Sequence, residues 1–213
     1  MNGLVVNATD GSSRLRVVAD QPVFVVTGPS GAGKSMLEKA LIERMPGRIE
    51  LAVSATTRDR RPGERNGVHY WFVSDDEFDR MVADDELLEW VSYVSGHRYG
   101  TPRSEIDRIR AAGRAPLLDL ETQGALRVRD EVPGAVTVFV DAPSFAELER
   151  RLRDRATESA GEIGERLALA QRQREQAAEF DHVVVNDDLD RAADELAGLV
   201  HDALAAAGTI SRP

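Results

Sequence analysis

Eight residues constrain this chain more than any others. Gly28-Pro29-Ser30-Gly31-Ala32-Gly33-Lys34-Ser35 follows the apolar run Val23-Phe24-Val25-Val26 with only Thr27 between them. It stands directly before a stretch in which Leu37, Ala40, Leu41 and Met45 recur at helical spacing. A short unbroken apolar run reads as a strand buried on both faces, and so as part of a parallel sheet. The turn between strand and helix matches the G-x-x-x-x-G-K-[ST] pattern in the setting that pattern requires. Glycines let the backbone wrap closely around a polyphosphate with its N–H groups turned inward. The helix N-terminus adds a dipole that favours negative charge. Lys34 supplies a compact cation for the terminal phosphates, and the Ser35 hydroxyl a ligand for magnesium. Gly28, Pro29, Ser30, Gly31, Ala32, Gly33, Lys34 and Ser35 are therefore expected to bind the triphosphate of a donor nucleotide with Mg2+. The loop says nothing about the acceptor.

The remaining pattern fits the same architecture. After Pro46 and Gly47 stop the first helix, Leu51 to Pro102 carries short alternating pieces (LAVSATT, VHYWFV, LLEWVSYV) and one helical stretch, Asp75 to Asp84. It reads as a small β-rich insertion. Helical spacing returns from Ser104 to Ala112, then APLLDL gives a second buried strand, Gln123 to Val132 a helix and VTVFVD a third strand. Ser144 to Arg155 reads as a helix with Ser144 as N-cap and Glu147 at the capping-box position. Gly161 to Glu179 is a long amphipathic helix, HVVVN a fourth strand, and Asp188 to Ala207 the closing helix. Alternation of this kind implies a parallel sheet with crossover connections. The first residues read as a loose extension with a short strand at Leu15 to Val18.

Composition narrows the function classes. The net charge is -10, which argues against a general nucleic-acid binder, since that needs a basic face. Any phosphate binding must come from local arginines and backbone amides. There is no cysteine, so disulfides, thiolate metal sites and thiol catalysis are excluded. No apolar run approaches the ~18 residues of a membrane span, and Met1 to Asp20 lacks the pattern of a signal peptide. A cytoplasmic enzyme, without membrane or nucleic-acid partner, is the expectation.

The second chemical cluster is Ser54-Ala-Thr-Thr-Arg58-Asp-Arg60-Arg61-Pro-Gly-Glu64, three arginines in an acidic chain. Arginine forks bind phosphate in bidentate fashion, so this is a candidate second phosphate site; a solvated basic turn is the alternative reading. Onward, ATTRDRRPGERNGVHYWFVS, ELLEW, HRYGTPRSEI, Gln123-Gly124 and FDHVVVNDDL together resemble guanylate kinase, in the same order, from about Val23 to Val200. The resemblance implies a P-loop NTPase fold: a three-layer α/β/α parallel-sheet core (22–53, 103–149 and 167–208), an acceptor-binding insertion (54–102) and a helical lid (150–166). Residues 1–21 and 209–213 would lie outside it as extension and tail. The implied reaction is transfer from ATP, with Mg2+, to GMP or dGMP, by a monomer or homodimer.

Carried over residue by residue, the resemblance implies that Arg58 and Arg61, with Tyr70 and Tyr99, grip the acceptor phosphate. Ser54 and Thr101 would bond the guanine edge, beside Gly100, and Glu89 would accept from the guanine N–H donors. Arg151, Arg155 and Arg166 match lid and phosphate arginines that spread positive charge over the transferring group. With Lys34 and Arg58 they form the expected catalytic set. Asn186 matches the position that contacts the donor adenine, and Asp119 is a second candidate magnesium ligand.

The departures are specific. The family usually has Asp where Glu121 stands, near the guanine amino group; the extra methylene lengthens the reach by about 1.5 Å, and misplacement on that scale costs rate. Arg60 replaces a usual proline, Ala156 a lid glycine, and Met36 a common threonine. Two other readings stay open: a related kinase with a different nucleotide or sugar-phosphate acceptor, which Glu121 favours, and a non-catalytic interaction domain, against which the complete phosphate loop argues.

Overall fold

The computed structural model describes residues 21–92, 96–154 and 160–208, and for 160–162 the backbone only. The strand expected at Leu15 to Val18, Arg155, Ala156 and the tail 209–213 lie outside the described residues. In chain order the elements are β1 (Phe24–Thr27), α1 (Lys34–Arg44), β2 (Ile49–Leu51), β3 (Ala55–Thr56), β4 (Trp71–Phe72) and α2 (Asp75–Ala83). Next come β5 (Leu87–Ser92), β6 (Arg98–Pro102), α3 (Arg103–Ala111), β7 (Ala115–Asp119), α4 (Thr122–Glu131) and β8 (Val136–Asp141). The chain closes with α5 (Phe145–Asp154), α6 (Ala160–Glu175), a 3-10 turn at Ala177–Glu179, β9 (His182–Val185) and α7 (Leu189–Ala206).

Five strands form the core sheet in the order β2-β7-β1-β8-β9, and every pairing is parallel. Alternate residues face opposite layers. Phe24, Val26, Val138 and Val140 pack with Leu37 and Leu41 of α1, Leu148 of α5 and Leu196 and Val200 of α7. Val23, Val25, Leu118 and Phe139 pack with Ile106 and Ile109 of α3 and Ala125 and Val128 of α4. Both faces of the sheet are thus covered, which is why its strands read as unbroken apolar runs. The result is a three-layer α/β/α sandwich. No helix among the described residues is long and apolar enough to cross a membrane.

A second sheet, β4-β3-β6-β5, packs Ala55 and Leu87 on Phe78 and Met81 of α2. Its register places Glu89 beside Thr101 and Ala55 beside Gly100.

Three local readings change. The core sheet has a fifth strand: β2 pairs Leu51 with Leu117, where the sequence pattern implied four core strands and none at Ile49–Leu51. Three residues at a sheet edge with Glu50 in the middle carry too little pattern to stand apart from the insertion. At α5, the Ser144 hydroxyl accepts from Glu147 N–H at 3.1 Å, as an N-cap should. The reciprocal half of the capping box is replaced, because the Glu147 carboxylate is taken by Arg150 and Arg151. The long helix stops at Glu175, and the expected last turn is the separate 3-10 turn.

Candidate active site at the junction of two cavities

The phosphate loop leaves β1 in a conformation that only glycine accommodates. Gly28 has φ 135°, and a Cβ there would meet the Val140 carbonyl oxygen at 2.1 Å. Gly33 has φ 90°, and its missing Cβ leaves room for the Asn186 amide at 2.4 Å. That amide donates to the Ala32 carbonyl at 2.8 Å, so β9 braces the loop from behind. Lys34 Nζ is folded over the loop and donates to the Gly28 carbonyl at 2.8 Å. A cavity of about 150 Å³ opens over Pro29, Ser30, Gly31, Gly33, Lys34, Ser35, Met36 and Asp119.

A larger cavity of about 730 Å³ lies between the core and the second sheet. Ser54, Arg58, Arg61, Tyr70, Glu89, Tyr99, Gly100, Asp119 and Glu121 all line it, together with Lys34. Residues spread over the chain from position 34 to 121 thus converge on one space. Lys34 and Asp119 line both cavities.

Two anchor systems shape the larger cavity. At one end the Arg58 guanidinium is 9% exposed. It is screened by the rings of Tyr70 and Phe72, 5.5 and 5.6 Å away, rather than by depth in the protein. It forks onto Glu64 with bonds of 2.8 and 3.1 Å, and Glu64 also accepts from the Arg61 N–H at 2.8 Å. This pairing holds Glu64 down at about 2, Arg58 first and the Arg61 N–H second. Glu64, and after it Tyr99, hold Arg58 charged against the cost of its burial. Tyr70 and Tyr99 meet edge to face at 5.8 Å, and burial raises the Tyr70 phenol. Tyr70 therefore stays a neutral hydrogen-bond donor.

At the other end Glu89 is 6% exposed. Burial raises its carboxyl, against the hydrogen bond from Thr101, whose hydroxyl donates to Oε1 at 2.9 Å. Thr101 thus supports Glu89 from behind rather than lining the cavity. Between the two ends sit Asp119 and Glu121. Asp119 lines both cavities and is exposed; the protein around it raises its carboxyl, with Lys34 opposing and Glu121 reinforcing.

Six expected site residues line neither cavity: Gly28 and Ala32 of the loop, Thr101 behind Glu89, and Arg151, Arg166 and Asn186. Arg151 is bound to Glu147 at 2.8 Å and to the Asn186 carbonyl at 3.2 Å. Asn186 has its amide on the loop. Arg166 is exposed on α6. Four further residues were not named as site residues from the sequence. Glu64 stands within the arginine cluster, where the arginines alone suggested a role. Gly124 faces Glu89. Gln173 of α6 donates to Glu121 at 2.7 Å. Glu38, 3% exposed with Oε1 unpaired, lies one helical turn after Lys34, and that i, i+4 spacing was its only signal.

The donor set suits a hard cation. One hydroxyl (Ser35) and one carboxylate (Asp119) face the same small cavity, and no cluster of three or more acidic or histidine ligands occurs among the described residues. Magnesium is commonly held by one or two protein oxygens while phosphates and waters complete its shell, and this sparse set fits that.

Comparison with known proteins agrees with the arrangement. The family model described as guanylate kinase matches residues 20–203. The chain is 51% identical over 172 residues to a guanylate kinase of Synechococcus sp. (strain CC9902), covering 81% of this chain and 91% of that one. It is 47% identical over 183 residues to one of Thermobifida fusca (strain YX), covering 85% and 92%. The crystal structure of guanylate kinase from Anaplasma phagocytophilum superposes with a TM-score of 0.65 at 26% identity, over 91% of this chain and 98% of that one. A family match over nearly the whole chain, joined to a phosphate loop that shares its lysine with a larger cleft, leaves one assignment: the chain belongs to the guanylate kinase family.

Proposed function

We propose that this protein transfers the terminal phosphoryl group of ATP to GMP or dGMP, releasing ADP and GDP or dGDP. The observation that carries the reading is the shared wall. Lys34 and Asp119 line both the phosphate-loop cavity and the larger cleft, so a donor in one and an acceptor in the other meet at that wall. The relatives supply the reaction class, being guanylate kinases by name.

In this reading Ser54, Gly100, Glu89 and Glu121 read guanine. Two carboxylates match the adjacent N–H donors of guanine and would face an acceptor nitrogen on adenine. Arg58, Arg61, Tyr70 and Tyr99 take the acceptor phosphate. The acceptor phosphate is already anionic at pH 7, so direct in-line transfer requires no strong base. Catalysis is positioning plus charge neutralisation. Lys34 spans the transferring phosphates. Ser35 and Asp119 would hold Mg2+, which supplies charge neutralisation at the phosphate oxygens. Residues 54–102 act as the acceptor-binding part and 150–166 as the lid. Arg151, paired with Glu147, would join Arg155 and Arg166 as the lid closes, bringing positive charge to the reaction and excluding water. Asn186, adjoining the loop, contacts the donor base. The protein works in the cytoplasm as a monomer or homodimer.

Steady-state ADP release from ATP and Mg2+ tests this across GMP, dGMP, AMP, CMP, UMP and no acceptor, with and without EDTA. Turnover with GMP and dGMP, absent with EDTA, is expected. Turnover confined to another acceptor would overturn the guanine assignment, and nucleotide binding without turnover would favour an interaction domain.

A further inference from the structure

Glu121 stands where α4 begins and serves as its N-cap by backbone alone, with no hydrogen bond from its side chain to the helix. The carboxylate instead reaches across to α6. Gln173 Nε2 donates to Glu121 Oε2 at 2.7 Å across 52 residues of sequence. Gln173 is 4% exposed, although it lies in a stretch, QRQREQ, that reads as a solvated helix face. Its neighbour Arg174 donates to Asp141 at 2.9 Å, so this end of α6 is fastened to β8 and the amide has little freedom to move away.

The direction this bond imposes matters because competing partners line the same cleft. Lys34 would attract the carboxylate and Asp119 would repel it; both line the cavity that Glu121 lines. A glutamate with one more methylene than aspartate has the reach and the rotamers to turn either way. An amide restrains it without neutralising it, as an arginine would, so the carboxylate keeps its full acceptor strength.

We propose that Gln173 is a positioning residue for acceptor recognition: it holds the longer Glu121 side chain in the cleft, where the carboxylate accepts from the N–H donors of guanine. The inference rests on the GMP-kinase reading above and adds a residue to its specificity set. It also explains how this chain uses Glu at a position where the family usually has Asp: the side chain is longer, and a buried amide fixes its end.

The test is a double-mutant cycle of Gln173→Met, which keeps the volume and removes the donor, with Glu121→Asp, whose carboxylate falls short of Gln173. Initial rates are measured against GMP at saturating ATP and Mg2+, with AMP as a second acceptor and melting temperature as a fold control. Gln173→Met should raise KM for GMP about tenfold, the ordinary worth of a hydrogen bond to a charged group, with kcat within about twofold, since uniform binding is lost. In the Glu121→Asp background the same substitution should change KM by less than about twofold, because the partner is already gone. Equal effects in both backgrounds, or a lower melting temperature with KM unchanged, would make Gln173 merely structural and overturn the inference. A wild-type protein that neither binds nor phosphorylates GMP would overturn the functional reading itself, and the inference with it.

Discussion

Gly124 is the reason Glu89 fits. A Cβ at position 124 would lie 2.7 Å from Glu89 Oε2, closer than any real contact of that kind. Gly124 is buried in α4, and Glu89 cannot retreat freely because Thr101 holds its other oxygen. Two effects of one methyl group therefore separate. Gly124→Ala gains helix propensity of up to about 1 kcal/mol while displacing the carboxylate that reads the base. The variant should melt at or above the wild-type temperature yet show KM for GMP raised by roughly ten- to a hundredfold, the range expected when a charged hydrogen bond is misplaced. Calorimetric GMP binding beside a thermal melt checks both halves. Unchanged GMP affinity would remove Glu89 from base recognition.

Arg58 already has a carboxylate partner in the protein without ligand. Its fork onto Glu64 preorganises the guanidinium, but an acceptor phosphate must share or replace that partner. Glu64→Gln leaves the screened cation with weaker compensation in the free protein, a deficit that a bound phosphate would restore. The stabilisation by GMP, read as the rise in melting temperature at a fixed saturating concentration, should therefore be larger in Glu64→Gln than in wild type. An equal or smaller rise would show that Arg58 keeps Glu64 when the acceptor binds and that Arg61 carries the phosphate.

Lys34 is expected to be indispensable for chemistry and dispensable for folding. Its ammonium donates to the Gly28 carbonyl of its own loop, and the core packing of α1 runs through Leu37 and Leu41 instead. Lys34→Ala should lower kcat with GMP by a factor on the order of 10²–10³ or more, the scale of losing one electrostatic group at a transferring centre. Circular dichroism and the melting temperature should stay near wild type. A folded variant with wild-type turnover would remove the lysine from the transfer step.

Legibility in the sequence depended on where the information lies along the chain. The phosphate loop is contiguous, and its strand and helix flank it, so pattern and context could be checked together. The acceptor cleft draws on β3, β5, β6 and the turn after β7, and each residue alone is an ordinary serine, glutamate or tyrosine. Only the arginine cluster after β3 stood out by itself; the joint order of the motifs marked the others. Edge strand β2 was absorbed into its neighbour because three residues carry no period. Gln173 and Glu38 were invisible for a different reason. A polar residue in a polar helix reads as surface, and only packing shows that both are buried. Functional contributions made by burial of a polar group cannot be seen in spacing.

Glu38 turns that burial into a pH dependence. Its carboxyl is pushed up to about 8, first by burial, then by Asp119, with Lys34 opposing. A carboxyl raised in the folded state binds its proton more tightly there than in the unfolded chain, where the ordinary value is 4.5. Its contribution to stability is therefore complete below that ordinary value and is lost as the pH climbs through about 8. Above that point the fold must bury a charge with an unpaired oxygen. Glu38→Gln keeps the shape and the hydrogen-bonding oxygen but never ionises. Melted without nucleotide or metal, the variant should match wild type near pH 5 and exceed it near pH 9. The excess should reach at least about 2–4 °C, the shift that 1 kcal/mol produces in a chain of this size. A constant difference across the range would mean that Glu38 ionises at its ordinary value and that solvent or Lys34 compensates its charge. A growing difference would fix Glu38 as a protonated carboxyl beneath the shared wall of the two cavities.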